Sequence, residues 1–321
     1  MKINFEKKIF SFDLLSSVKN SRRQINFKKG WIIKLKNENN IYGYGEVTPL
    51  DQNVIKLCKM QLNQIPEYIY EQELNKLIEN FHPCVQSGIN SAMAEMNNVL
   101  KFDRSYDFQD IHQTAILINP NNILKEFKEL NKKSKFKNNT ITIKWKVGIN
   151  DNLYEEKILE EILNEVSEKI KIRFDANGSW SRKIAIRWAD ILRDNKNLDW
   201  LEQPLDYDDI EGSIALNEKV PVALDESLIK YPNLVNTWNG WQIRRPSQER
   251  NPIKLFEELN NKVAYRSIST SFETGIGFRM LYHFSLLQQK GPTPKVPGLA
   301  LNQISNNSLF SSNPDLIWEF L

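Results

Sequence analysis

Between Thr142 and Glu226 short apolar runs repeatedly end on a charged residue, each about one strand-plus-helix unit after the last. Lys146 to Asp175 is 29 residues, Asp175 to Glu202 is 27, Glu202 to Asp225 is 23 and Asp225 to Arg245 is 20. The runs read as strands at Thr114–Ile118, Thr140–Lys146, Ile170–Phe174, Leu198–Leu201, Val222–Leu224, Gln242–Arg244 and Ser267–Ser271. Helical spacing follows them at Ile123–Leu130, Leu153–Ser167, Arg182–Arg193, Ile210–Asn217, Ser227–Asn236, Pro252–Asn260 and Gly275–Gln288. Strands that are apolar on both faces and alternate with helices call for a parallel sheet covered on both sides or closed into a barrel. Seven or eight such units favour closure, with a last strand near Gly298–Leu301.

The chain before these units has a different period. Gly30–Lys36 and Ile41–Val47 pair as a hairpin across a turn at Asn37–Asn40, which opens an antiparallel sheet. Helical spacing then runs from Val54 to about Asn80 and from Val85 to Met96, the latter rich in small residues that favour close packing. The expected organisation is an α+β capping domain over 1–110, the barrel over 111–302, and a C-terminal tail, 303–321, that packs back on the cap through Trp318 and Phe320.

Composition removes several classes of function. No apolar run approaches the roughly 20 residues that span a bilayer, and Met1–Phe12 has no signal-like apolar segment, so a cytoplasmic protein with no membrane partner is expected. A net charge of +3 from 43 basic and 40 acidic residues is near balance. The cluster Lys132–Lys137 reads as a solvated turn and not as a nucleic-acid surface. Cys58 and Cys84 are too few for a disulfide framework, or for a metal site without other ligands, and are expected in the core. His82, His112 and His283 leave little material for a histidine-based metal centre or a Ser-His triad. Gly43-Tyr44-Gly45 lies within a hairpin and is too short for a dinucleotide fingerprint.

In a closed parallel barrel the carboxyl ends of the strands share one mouth, so Lys146, Asp175, Glu202, Asp225 and Arg245 should converge there. Asp175, Glu202 and Asp225 then form a hard oxygen site suited to Mg2+, because three buried carboxylates without a cation repel one another. Asp225 could instead serve as a helix N-cap. Lys144 and Lys146 are two residues apart, so both face the interior while Trp145 faces the helices. A neighbouring cation and partial desolvation would lower a lysine pKa toward the general-base range; the alternative is a pair of structural cations. Arg173 shares the interior face with Asp175 and could orient a carboxylate.

Lys144-x-Lys146, Asp175-Ala176-Asn177, Glu202-Gln203-Pro204 and Asp225-Glu226-Ser227 occur in this order, with Gly43–Leu50 early and Ser269–Gly277 late. Together they resemble the enolase superfamily and, within it, the muconate-lactonising subgroup. The resemblance implies a modified TIM-type (β/α)7β barrel with a capping domain. It further implies Mg2+ (or Mn2+) held by Asp175, Glu202 and Asp225, a small carboxylate substrate, and Lys146 as the base that removes the proton alpha to that carboxylate. The use of a Lys base with Mg2+ in this superfamily is a known general example. The implied reaction is a syn elimination of water from a hydroxycyclohexadiene carboxylate; cycloisomerisation, racemisation or a non-catalytic metal-binding barrel are the alternatives. Loops of the cap close over the barrel in this family, and Tyr42–Gln52 corresponds to one of them. Ser269, Ser271 and Gly275 could offer donors to a second carboxylate. One position departs from the pattern: Arg245 stands before Pro246 where the family usually has Lys. Arginine is a poor base, which argues against two-base racemisation.

Overall fold

The computed structural model describes residues 1–19, 21–22, 24–51, 53–102, 113–136, 140–303 and 307–321. The expected domain boundary at 110/111, together with His112, Gln52 and Lys137, lies outside these. The chain begins with β1 (Lys2–Lys19), β2 (Gln24–Asn37) and β3 (Tyr42–Val47), followed by α1 (Val54–Leu62), β4 (Tyr68–Tyr70), α2 (Glu71–Ile78) and α3 (Pro83–Met96). The four strands form an antiparallel sheet in the order β3-β2-β1-β4. The single helix expected from Val54 to Asn80 is thus two helices separated by a strand. Pro66 cannot continue a helix, and Tyr68–Tyr70 finds a ladder partner at the edge of β1 that local periodicity does not reveal.

β3 and α3 pack almost backbone to backbone. A Cβ on Gly45 would lie 1.8 Å from the Gly88 carbonyl oxygen, and one on Gly43 would lie 2.2 Å from that of Ala92. The small residues in α3 therefore serve this contact, with Gly43-Tyr44-Gly45 as its other half. Gly45→Ala is expected to cost at least the ~1–3 kcal/mol typical of overpacking, because the obstacle is main chain and cannot rotate away. Chemical denaturation of the variant against wild type measures it.

The parallel strands follow: β5 (Ile116–Ile118), β6 (Ile141–Lys146), β7 (Ile170–Asp175), β8 (Leu198–Glu202), β9 (Val222–Leu224), β10 (Trp241–Arg244) and β11 (Arg266–Ile268). They are neighbours in sequence order throughout the sheet. The helices between them are α4 (Ile123–Phe136), α5 (Asn152–Glu165), α6 (Arg182–Leu192), α7 (Ile210–Asn217), α8 (Glu226–Lys230), α9 (Leu234–Thr237) and α10 (Pro252–Asn260); α11 (Gly275–Gln289) follows β11. Outward residues of the strands meet these helices in a core where Trp145 and Phe174 each meet Trp188 edge to face.

Three elements depart from the local sequence pattern. The helix expected over Ser227–Asn236 breaks into α8 and α9 at Tyr231-Pro232, since proline disfavours the helical conformation of the residue before it. The strand expected over Ser267–Ser271 ends at Ile268, and the chain then turns through Phe272, whose φ is +63°. The last strand, Gly298–Leu301, reduces to one parallel bridge between Ser269 and Gly298. Closure still occurs through that short segment: Gly298 N donates to Ile268 O on one side, and Ala115 N donates to Pro297 O on the other.

The tail ends in α12 (Pro314–Phe320), whose Ile317 and Trp318 pack with Phe10, Ile32 and Tyr44 of the antiparallel sheet, whereas Phe320 is exposed. Cap and barrel are also joined by Glu46. Its buried carboxylate accepts hydrogen bonds from Thr274 N, Thr274 Oγ1 and Gly277 N at the start of α11, an anion at a helix N-terminus. Burial and the facing Glu273 carboxylate raise Glu46 from 4.5 to about 7 despite these donors. The folded state thus holds this proton more tightly than the unfolded chain. The linked stability is fully present below about pH 4.5 and is lost as pH rises through about 7. The stability difference between wild type and Glu46→Gln, followed by thermal unfolding, is expected to change across that window and to be flat above it.

Candidate active site

The carboxyl ends of the strands open into a cavity of about 480 Å³ between barrel and cap. Lys144, Lys146, Asn177, Asp225, Glu226 and Arg245 line it from the barrel side; Leu50, Val54 and His82 do so from the cap. Asp175 and Glu202 lie directly beneath the lysines, 0% and 1% exposed.

Register explains the convergence. Lys144 pairs with Arg173, and Lys146 with Asp175, along β6 and β7; Asp175 is opposite Glu202 on β8. Alternation then points Lys144, Lys146 and Asp175 inward and Trp145 and Phe174 outward. Lys144 Nζ sits between Asp175 Oδ2 at 2.7 Å and Glu202 Oε1 at 2.6 Å. Lys146 Nζ bonds Asp175 Oδ2 and, at 3.0 Å, Asn177 Oδ1. Arg245 forks onto Asp225, with Nε–Oδ1 at 2.9 Å and Nη2–Oδ2 at 2.7 Å, and its Nη1 donates to Thr270 O. Asp225 makes no side-chain bond to its helix, so the N-cap alternative does not hold: its carboxylate is turned to the arginine.

The turn carrying Asp225 is held by Gln203. Its Oε1 accepts from Asp225 N and Ser227 N, and its Nε2 donates to Ser227 Oγ and Leu205 O. Asn177, in the left-handed region at φ +48°, links Lys146 to Glu226 through its Nδ2–Oε1 bond at 2.8 Å. Gln203, Asn177 and Glu226 belong to the quoted motifs, but strand spacing assigned them no role. From the cap, Ser21 Oγ and Arg22 Nε donate to the carbonyls of Ala176 and Asn177, reaching the loop after β7. Sequence reasoning did not single out that segment, and no local signal marks it.

Several expected positions lie elsewhere. Arg173 is in the layer below, held by Asp199 Oδ2 at 3.1 Å and Val296 O at 2.8 Å and stacked over Trp200, so it does not line the cavity. Ser269 lines the cavity. Ser271 is fully buried, with its backbone N donating to Glu273; Gly275 faces the Ser311 carbonyl, where a Cβ would come within 2.0 Å. Because β11 ends at Ile268, Ser271 and Gly275 are carried past the mouth by the turn into α11. The expected loop Tyr42–Gln52 is strand through Val47; Pro49, Leu50 and Asp51 form its cavity-facing part.

Charge in the site is tightly matched. Three buried carboxylates, Asp175, Glu202 and Asp225, and the partly buried Glu226 meet three cations, Lys144, Lys146 and Arg245. Burial alone would pull the Lys144 ammonium down, but Asp175 and Glu202 outweigh it and hold it above the ordinary lysine value. Burial would raise Asp175, yet the two lysines bring it below the usual carboxylate range. Glu202 is raised by burial and by Asp175. Burial, Asp225 and Asp175 raise Glu226 to about 7, and its Oε2 has no hydrogen-bond partner. A hard, all-oxygen donor set with one carboxylate in excess and one orphaned buried oxygen fits a divalent cation. The oxygens of Asp175, Glu202 and Asp225 do not gather within 4.8 Å of one another, because Lys144 and Arg245 are drawn in among them.

Residues 129–236 match the family described as Enolase C-terminal domain-like. An o-succinylbenzoate synthase from Thermosynechococcus vestitus is 28% identical over 227 residues, 67% of this chain and 66% of the relative. An L-Ala-D/L-Glu epimerase from Francisella tularensis subsp. novicida is 34% identical over 93 residues, covering 28% of this chain and 26% of that protein. The solved o-succinylbenzoate synthase of Thermosynechococcus elongatus BP-1, with Mg in its active site, superposes with a TM-score of 0.78 at 21% identity, covering 99% of this chain and 100% of that one. Residues 129–236 thus carry the Enolase C-terminal domain-like match within a barrel whose strand ends gather these lysines and carboxylates under an antiparallel cap, and the whole chain shares the fold of the solved synthase.

Proposed function

We propose that the protein is a Mg2+-dependent o-succinylbenzoate synthase, a hydro-lyase that converts 2-succinyl-6-hydroxy-2,4-cyclohexadiene-1-carboxylate to 2-succinylbenzoate, acting in the cytoplasm in menaquinone or phylloquinone biosynthesis. The observation that carries this reading is the state of Arg245. Burial would lower its pKa, but the forked bond to Asp225 raises it further above the already high arginine value. A group so fixed cannot take a proton from the second face, so racemisation lacks one of its two bases. A dehydration needs only one.

Lys146 Nζ takes the proton from the ring carbon that bears the carboxylate. The electrons of that C–H bond form the new ring double bond as the C–O bond at the neighbouring carbon breaks. The same ammonium then returns its proton to the departing hydroxyl, which leaves as water. Lys144, bridging Asp175 and Glu202, and Arg245 across the cavity supply fixed positive charge near the developing anion. Asp175, Glu202 and Asp225 would hold Mg2+ or Mn2+, which would supply further positive charge beside the carboxylate as negative charge develops there. Ser269, which lines the cavity, would donate to the distal carboxylate of the succinyl arm.

The test is to supply the cyclohexadiene substrate with Mg2+ and follow loss of its diene absorbance. Turnover well above background is expected; none would remove the reading. A parallel incubation of N-acylamino acids and of L-Ala-Glu in D2O reads proton exchange, and efficient exchange with inversion would favour the racemase and epimerase chemistry of the relatives.

A further inference from the structure

Away from the carboxylates, beside the cap wall of the cavity, three other groups come together. Cys58 on α1, Cys84 at the second position of α3 and His82 just before that helix place their ligand atoms within 4.8 Å of one another. Cys58 Sγ is 3.5 Å from Cys84 Sγ, and His82 Nδ1 is 3.0 Å from Cys84 Sγ. Among the described residues this is the one group of three metal-ligating side chains gathered so tightly. The cysteines were expected to be core residues, and each is fully buried, but the missing additional ligand is at hand in His82.

We propose that Cys58, Cys84 and His82 form a second metal site, separate from the carboxylate cluster, for a thiophilic cation, with Zn2+ the best fit. Two thiolates and an imidazole are soft and borderline donors, which select Zn2+ over Mg2+. The geometry is close to what that ion requires. Zn–S bonds of about 2.3 Å at tetrahedral angles put two sulfurs roughly 3.8 Å apart, and Zn–N of about 2.0 Å puts nitrogen and sulfur about 3.5 Å apart. The site reaches this with shifts of about half an ångström, within side-chain torsion. Its parts are held from behind: His82 N donates to Gln61 Oε1 on α1 at 2.9 Å, so the two helices are already tied where the ion would sit.

His82 lines the cavity, so it provides both the route of entry and an open fourth position for water. Three protein ligands with one open position is a common zinc arrangement. Occupancy would pin α1, and the Pro49–Asp51 segment that precedes it, to the start of α3. The cap wall of the cavity would stiffen without any change in the carboxylates.

The test uses the reduced full-length protein in excess Mg2+, which occupies hard oxygen sites, titrated with Co2+ as a coloured stand-in for Zn2+. One equivalent should bind with a near-ultraviolet thiolate-to-cobalt charge-transfer band and the strong visible bands of a tetrahedral site, and one equivalent of Zn2+ should bleach both. Cys58→Ser and Cys84→Ser should each weaken this band and lower Zn2+ affinity by more than the ~10–100-fold that loss of a supporting hydrogen-bond partner causes. His82→Gln changes only a half-buried side chain and should also weaken binding at least tenfold. Absence of the band in the reduced wild-type protein overturns the proposal, a readout that needs no variant to fold. So does a band that survives in the double Cys→Ser protein. Conversion of the two thiols to an intramolecular disulfide by oxidised glutathione, with no Co2+ bound beforehand, would instead identify a redox pair. None of these readouts depends on the proposed dehydration.

Discussion

Replacing Lys146 with alanine is expected to reduce dehydration of the cyclohexadiene substrate to near background, a loss of at least the ~10²–10⁴-fold that a positioned general base contributes, because the same nitrogen serves as base and then as acid. The fold should survive. Lys146 is buried at the cavity floor, and its removal leaves Asp175 with Lys144 still at 2.7 Å. Mg2+ affinity, read by calorimetry, is therefore expected to be retained or to rise, since one competing ammonium has gone. Retained turnover would remove Lys146 from the role of base. Lost turnover together with lost metal binding would mean that the carboxylate cluster had collapsed, which circular dichroism and a metal titration distinguish.

Arg245→Lys is the second large effect. The arginine fork makes parallel bonds to both oxygens of Asp225 and reaches Thr270 O, a set that a single ammonium cannot reproduce. Dehydration is expected to fall by about 10–100-fold, consistent with loss of a charge-assisted hydrogen bond worth about 1.5–3 kcal/mol. Because lysine can titrate where arginine cannot, the variant should also begin to exchange the alpha proton of N-acylamino acids with solvent deuterium, as NMR would show. A large gain in dehydration from a near-zero start would mean instead that Arg245 marks a weakened or non-catalytic barrel.

The two predictions rest on different kinds of information. That Lys146 and Asp175 meet was readable in advance, because two-residue alternation and one-unit spacing force strand ends of a closed parallel barrel to one mouth. That Arg245 is spent on Asp225 was not, because a side chain so long can reach several partners and only the packed mouth selects one. The same limit applies to Arg173: alternation put it inside the barrel correctly, but its height along the barrel, opposite Asp199 and Trp200, follows from the shear between strands. Ser271 and Gly275 were misplaced because β11 stops at Ile268, a boundary set by how briefly the closing segment at Gly298 can pair with it.

The repeat of apolar strands and helices, the hairpin before it and the ordered charged ends are local patterns with fixed periods, and they specified a barrel, a cap and the residues of its mouth from the chain alone. Which carboxylate pairs with which cation, the reach of Ser21 and Arg22 from the cap to the loop after β7, and the meeting of Cys58 with His82 and Cys84 are long-range contacts. They depend on register, helix packing and burial, quantities that no window of sequence contains, and so only the folded structure decides them.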